Sequence, residues 1–173
     1  MKISTKNLVI SAMFIALSAA GAFLKISGTI AFDSFPAFLA ALLLGPIYGA
    51  VIGFLGHMFS AVLSGFPNTP PIHLVIAATM ALTMLGFGYS YRALKSKVSL
   101  AANLVITGII GVILNCPVSF AFSFAAMVLL FGKEVAALVL FPLFPFLLLA
   151  SAANVVIGII LFKPLEKVWD KIR

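Results

Sequence analysis

Acidic side chains are nearly missing from this chain: Asp and Glu together number 4 in 173 residues, and none falls inside a long apolar run. Coupled secondary transport usually employs membrane-embedded carboxylates or inverted repeats, so this scarcity argues against that class. Cysteine is present once, as Cys116, which excludes an intrachain disulfide. The chain lacks G-x-x-x-x-G-K-[ST] and so cannot hydrolyse ATP through a P-loop. Its histidines, His57 and His73, are separated by a loop and expected at different depths, with no third nitrogen or thiolate at ligand spacing. No metal site follows from them. No Cys–His or Ser–His–Asp arrangement recommends nucleophilic catalysis, so neither catalytic residues nor a cofactor are expected.

What is abundant is apolar. Hydrophobic residues make up 64% of the chain, charged residues 9%, and the mean hydropathy is +1.27. A soluble domain carries about 25% charged residues. The length suits one domain. A net charge of +7 would suggest nucleic acid in a soluble protein. Here no basic face or aromatic stacking platform accompanies it, so nucleic acid is not an expected partner. The charge follows instead from the crowding of basic residues at the cytoplasmic ends of membrane helices, aided by anionic lipid.

All but two of the 11 Lys and Arg residues fall in three clusters: Lys2 and Lys6; Arg92, Lys95 and Lys97; Lys163, Lys167, Lys171 and Arg173. Lys25 and Lys133 are the exceptions. With every cluster in the cytosol, each successive pair must be joined by an even number of crossings. The apolar block from Pro36 to Ser64 decides the count. Unbroken, it would give five spans and place the later clusters outside. Broken at Gly45-Pro46, where proline disfavours helix in the residue before it, it gives six. The first piece covers only about 14 Å, less than the hydrocarbon core of about 30 Å, so it needs protein around it and a loop to complete the crossing.

The sequence therefore predicts an all-α integral membrane protein, a six-transmembrane-helix bundle with cytoplasmic N and C termini. Its spans cover about 8–26, 36–44, 47–64, 72–90, 100–127 and 141–162. The first span imitates a secretory signal, but its apolar run exceeds the usual core of about 7–15 residues, so it reads as a retained helix. Gly65–Pro71 and the neighbourhood of Gly132-Lys133-Glu134 read as outer loops. Lys163-Pro164 ends the last span, and a short amphipathic tail through Trp169 lies at the inner interface.

Polar side chains inside a bilayer cost free energy, so their positions mark candidate sites. His57, His73, Asn115 and Asn154 stand in apolar stretches, with Ser119 and Ser151 beside them, while Asp33, Asn68 and Thr69 belong to outer loops. Most of them favour one side, which suggests a cavity open to the exterior. The bland alternative is that Asn and His bond neighbouring helices, at about 0.6 kcal/mol each. Asn115-Cys116-Pro117 is the sharpest signal, because Pro117 should free the carbonyl of Ile113 and bend the helix where Asn115 projects. Ala12, Ala16 and Ala20 recur every four residues and form a smooth stripe that lets another helix approach closely, whether from this chain or a partner.

The six spans and the alanine-patterned first helix are joined by two runs, Asp33-Ser34-Phe35-Pro36-Ala37 and Leu44-Gly45-Pro46-Ile47-Tyr48-Gly49-Ala50. Together they resemble the substrate-binding S components of energy-coupling factor (ECF) transporters over nearly the whole chain. The resemblance implies a bacterial cell-membrane protein that captures a vitamin or precursor at its outer face. Its partners would be a transmembrane coupling protein and two ABC ATPases, with release by toppling in the membrane. The family's A-x-x-x-A docking motif maps onto Ala12 and Ala16, with Ala20 continuing the stripe. The loop Ser27–Phe35 would act as a lid, and binding groups would be Asp33, Asn68, His73, Asn115, Ser119 and Asn154. Nickel and cobalt members carry an N-terminal histidine motif, and this chain begins Met-Lys-Ile-Ser.

A carboxylate ligand would favour Arg, Lys or helix N-termini in its pocket, whereas 17 Phe residues and several amides suit a neutral aromatic ring bearing hydroxyls. Ala31-Phe32-Asp33-Ser34-Phe35-Pro36, Gly56-His57 and Gly65-Phe66-Pro67 look most like the α-ribazole (cobalamin-precursor) group. Riboflavin, pantothenate or a pyridoxine-like vitamin are alternatives, as is a stand-alone channel or secondary transporter.

Overall fold

A computed structural model describes residues 5–23, 25–26 and 30–172. Lys2, Arg173 and the Ser27 and Gly28 positions of the expected lid lie outside the described residues. The chain is an all-α bundle: α1 (Thr5–Gly21), α2 (Phe35–Leu43), α3 (Pro46–Leu63), α4 (Pro70–Leu94), α5 (Leu100–Ile113), α6 (Ser119–Phe131), α7 (Lys133–Leu140) and α8 (Phe144–Ile172). A π turn, Leu114–Val118, joins α5 to α6, and a 3₁₀ turn, Phe141–Leu143, joins α7 to α8. Two-residue strands, Lys25–Ile26 and Ile30–Ala31, pair antiparallel between α1 and α2. Six helical segments result, and four are long and apolar enough to cross a membrane: Pro46–Leu63, Pro70–Leu94, Leu100–Phe131 and Lys133–Lys171. The outward faces carry exposed Met13, Leu82, Leu129, Leu138 and Ile160, a pattern that suits lipid and would be unstable in water.

The second apolar block breaks at Gly45-Pro46, as the proline and glycine dictate. α2 spans only 9 residues, and every side chain from Pro36 to Leu42 is buried among α1, α3, α4 and α8. Phe38 is its anchor, meeting Phe87 of α4 edge to face with ring centroids 4.9 Å apart. α3 folds back tightly on α2, because a Cβ on Gly49 would come within 2.6 Å of the Ala41 methyl. The corner itself needs glycine. Gly45 has φ 117° and ψ 170°, a region closed to side chains, and the Arg92 guanidinium sits where its Cβ would be. Gly45→Ala should therefore destabilise the protein by about 1–3 kcal/mol, read as a lower unfolding midpoint in detergent. An unshifted midpoint would rule out strain at this corner.

The described residues of the three basic clusters gather at one end. Lys6 lies over the Trp169 ring at 5.0 Å, and Asn7 donates to the Tyr48 hydroxyl at 3.2 Å, which brings α1, α3 and α8 together there. Tyr91, next to Arg92, stacks edge-on against Phe162 at 5.5 Å. Its carbonyl accepts from Asn103 at 2.9 Å.

Two local expectations are corrected. Lys163-Pro164 does not end the last helix, which continues to Ile172 with Pro164 inside it. Proline removes one helical bond at that point, and the flanking helix formers carry the chain through it. The segment after Met127 is not a long loop either: α6 runs to Phe131, turns at Gly132 (φ 87°), and α7 begins at once. Its Ala, Val and Leu residues favour helix, and only Gly132 breaks it.

Candidate functional site

At the end opposite the basic clusters the helices part around a cavity of about 150 Å³. One water needs roughly 10–15 Å³ on this scale, so the space fits a ring-sized organic molecule. Asp33 and Ser34 enter from the turn before α2, His57 and Ser60 from α3, Asn68 from the α3–α4 loop, and His73 from α4. The π turn supplies Asn115, α6 supplies Ser119, Phe120 and Ser123, and α8 supplies Ser151 and Asn154.

The π turn explains how Asn115 reaches inward. Pro117 has no N–H, and the backbone accommodates this by slipping to five-residue bonds, with the Ser119 N–H donating to the Leu114 carbonyl. In that register residue 117 would pair with residue 112, so the carbonyl met by a side chain is Val112's and not the expected Ile113's. Ser151 Oγ donates to it at 3.5 Å. Asn115 Nδ2 in turn donates to Ser151 Oγ at 3.1 Å. Asn115 Oδ1 is buried and has no hydrogen-bond partner among the described residues. A buried acceptor without a donor costs about 1–3 kcal/mol, and a ligand that supplies the donor recovers it.

The histidines correct another expectation. They are not at different depths: His57 Nε2 and His73 Nδ1 are 3.2 Å apart, with the rings stacked at 5.4 Å. His57 is about 9 Å from the end of α3 and His73 about 5 Å from the start of α4, a difference that two imidazoles bridge. The Asn68 N–H donates to His73 Nε2 at 3.5 Å, which leaves the His73 proton on Nδ1 facing His57. The His57 proton then lies on Nδ1, 3.4 Å from Asp33 Oδ2. That approach is electrostatic, since its geometry falls short of a hydrogen bond. Asp33 also precedes the N-terminus of α2, where the helix dipole favours its negative charge. The string is linear, and among the described residues no three His, Cys, Asp or Glu side chains converge as metal ligands.

Ser119 Oγ and Thr79 Oγ1 are 2.7 Å apart, joining α4 to α6 beneath the cavity. At the rim, Thr69 holds φ 71° with its hydroxyl buried and without a partner among the described residues. Phe66 beside it holds φ 52° and packs edge-on against His73 at 5.7 Å. β-Branched residues rarely adopt positive φ, so this loop carries strain next to Asn68.

A family model described as the substrate-specific component of ECF transporters matches residues 6–162. The chain belongs to that family. Comparison with curated proteins gives no match. A solved structure, the S component of a bacterial ECF transporter, superposes with a TM-score of 0.63 at 21% identity, covering 94% of this chain and 96% of that one. At such identity the likeness speaks for the fold. Members of this family bind substrate as transporter components and are not enzymes.

In this S component the expected binding groups Asp33, Asn68, His73, Asn115, Ser119 and Asn154 all line the one cavity. Asn154 also fastens it: Oδ1 accepts the Phe35 N–H at 2.8 Å, and Nδ2 donates to the Ala150 carbonyl at 2.9 Å. Asn154→Leu would leave the Phe35 N–H unpaired. The expected loss is about 1–3 kcal/mol of stability, measured by denaturant unfolding in detergent, and an unchanged curve would refute the tether. The phenylalanine argument fails. Among the described residues Phe120 is the one phenylalanine lining the cavity, while Phe23, Phe59, Phe122, Phe131, Phe141 and Phe146 are exposed on the outer surface. The serines at 60 and 123 also line the cavity, although the sequence did not single them out. Their signal was four-residue spacing, Ser60/Ser64 and Ser119/Ser123, which puts each pair on one helical face. Ala12, Ala16 and Ala20 are exposed, so none of the described helices covers the stripe.

Proposed function

We propose that this S component captures one small heterocyclic vitamin or vitamin precursor in the cavity, with Asp33, Asn68, His73, Asn115, Ser119 and Asn154 forming its binding surface. The reading is supported by one observation above others: a chain of the S-component family gathers these polar groups around one ring-sized space. The basic end faces the cytosol with both termini, and the cavity opens to the exterior of a bacterial cell membrane. The turn before α2 serves as the lid. α1 docks through Ala12, Ala16 and Ala20 on a transmembrane coupling protein, and two ABC ATPases drive the toppling that releases the cargo. α-Ribazole, or another cobalamin-related heterocycle, is the leading substrate, because the sequence around Asp33 and His57 resembles that group.

Two experiments test this. Mass spectrometry of the small molecule released from purified protein should identify a single heterocycle, bound without ATP. In liposomes the chain alone should transport nothing, and uptake should appear only with the coupling protein and ATPases. ATP-independent uptake by the chain alone would replace this function with that of a channel or secondary transporter.

A further inference from the structure

Hydrogen bonds inside the cavity wall are directed one way. Ser64 and Ser123 donate their hydroxyl hydrogens to the carbonyls of Ser60 and Ser119, at 2.7 and 2.8 Å. Thr79 donates to the Ile76 carbonyl at 2.9 Å, so the Ser119 hydroxyl must give its own hydrogen to Thr79. Asn115 directs its amide hydrogen to Ser151, and the two imidazole protons point to Asp33 and His57. Apart from the second Asn115 amide hydrogen, what these groups leave toward the cavity is lone pairs, together with the orphaned Asn115 Oδ1 and the Asp33 carboxylate.

Among the described residues nothing on the wall suits an anion. No described Lys or Arg lines the space, and the donors left over are neutral: the Ser34 and Ser60 hydroxyls, the Asn68 amide and the second Asn115 amide hydrogen. The start of α4 would ordinarily offer backbone N–H groups to a carboxylate or phosphate, but its first residues are Pro70 and Pro71. The fixed charge among the described lining residues, Asp33, is negative. An acidic ligand would thus meet a carboxylate and a row of acceptors in a low-dielectric space.

We infer that the cavity selects a donor-rich ligand: a neutral or cationic heterocycle presenting several N–H or O–H groups and bearing neither carboxylate nor phosphate. This deepens the receptor function proposed above and rests on it. Among the alternatives it removes pantothenate and phosphorylated vitamins, and it keeps hydroxylated nucleoside-like compounds.

The test uses the full chain purified in detergent. Its unfolding midpoint is measured with matched pairs: nicotinamide and nicotinate, pantothenol and pantothenate, pyridoxine and its 5′-phosphate, riboflavin and flavin mononucleotide, α-ribazole and its 5′-phosphate. In parallel, the compound released by denaturation is identified by mass spectrometry. A shift of a few degrees from the uncharged member of a pair, with none from its anion, or release of an uncharged or cationic polyol or amine, is the expected result. An anion that stabilises as much as its neutral partner, or release of a carboxylate or phosphate, overturns the ligand class and leaves the receptor standing. No released compound and no shift from any pair removes both.

Discussion

Asn115→Leu should weaken ligand binding by roughly ten- to a hundredfold while the protein still purifies as a folded species. The two side chains have similar volume, so the cavity keeps its shape. The substitution deletes the unpartnered Oδ1, and with it the hydrogen bond a ligand donor would form there. It also strips Ser151 of its Asn115 partner. Loss of one well-placed buried hydrogen bond amounts to about 1.5–3 kcal/mol, which is the stated range in affinity. Calorimetric titration with the co-purifying compound decides it. Affinity equal to that of the wild type would take Asn115 out of the site.

Ala16→Trp should do the opposite: ligand affinity unchanged within a factor of about two, and uptake by the assembled transporter abolished. Ala16 is exposed on α1, with Ala12 and Ala20 above and below it, so the indole has room in the lone subunit. A partner helix seated on that stripe has none, because small residues permit close backbone approach and a Trp would hold the helices apart by several ångströms. Ile160→Trp on α8, an equally lipid-facing position, is the control and should transport normally. Normal uptake by the Ala16 variant would mean that the stripe is not where the coupling protein docks.

The sequence carried much of this architecture because its signals were extreme. Pro46 after Gly45 marks a helix break, which the Gly45 conformation turns into a corner, and a 9-residue helix between basic clusters has one way to be stable: enclosed by protein. Asn115-Cys116-Pro117 likewise announced an irregular helix. The carbonyl involved was misjudged, since only the folded backbone shows whether the register slips to four or to five. His57 and His73 were harder. Separation along the chain says little about distance when two antiparallel helices meet across a short loop, and the 3.2 Å contact depends on how α3 and α4 lean. The serines were quiet because a hydroxyl can satisfy its own helix, as Ser64 and Ser123 do. Phenylalanine misled for a simpler reason. In a bilayer both the interior and the outer surface accept an aromatic ring, so its abundance does not locate a pocket.

The slipped turn at Leu114–Val118 accommodates one extra residue in what is otherwise a continuous rod. Rewinding the same residues as ordinary α-helix, without changing their number, would rotate everything downstream by about 100°. Ser119 and Ser123 would swing toward the lipid tails and Phe120 would leave the chamber, although no side chain in α6 had been altered. Which face of α6 looks inward is thus set by the width of one turn, so Pro117→Ala, which lets that turn rewind at constant length, should disturb α6 more than deletion of the residue the turn absorbs.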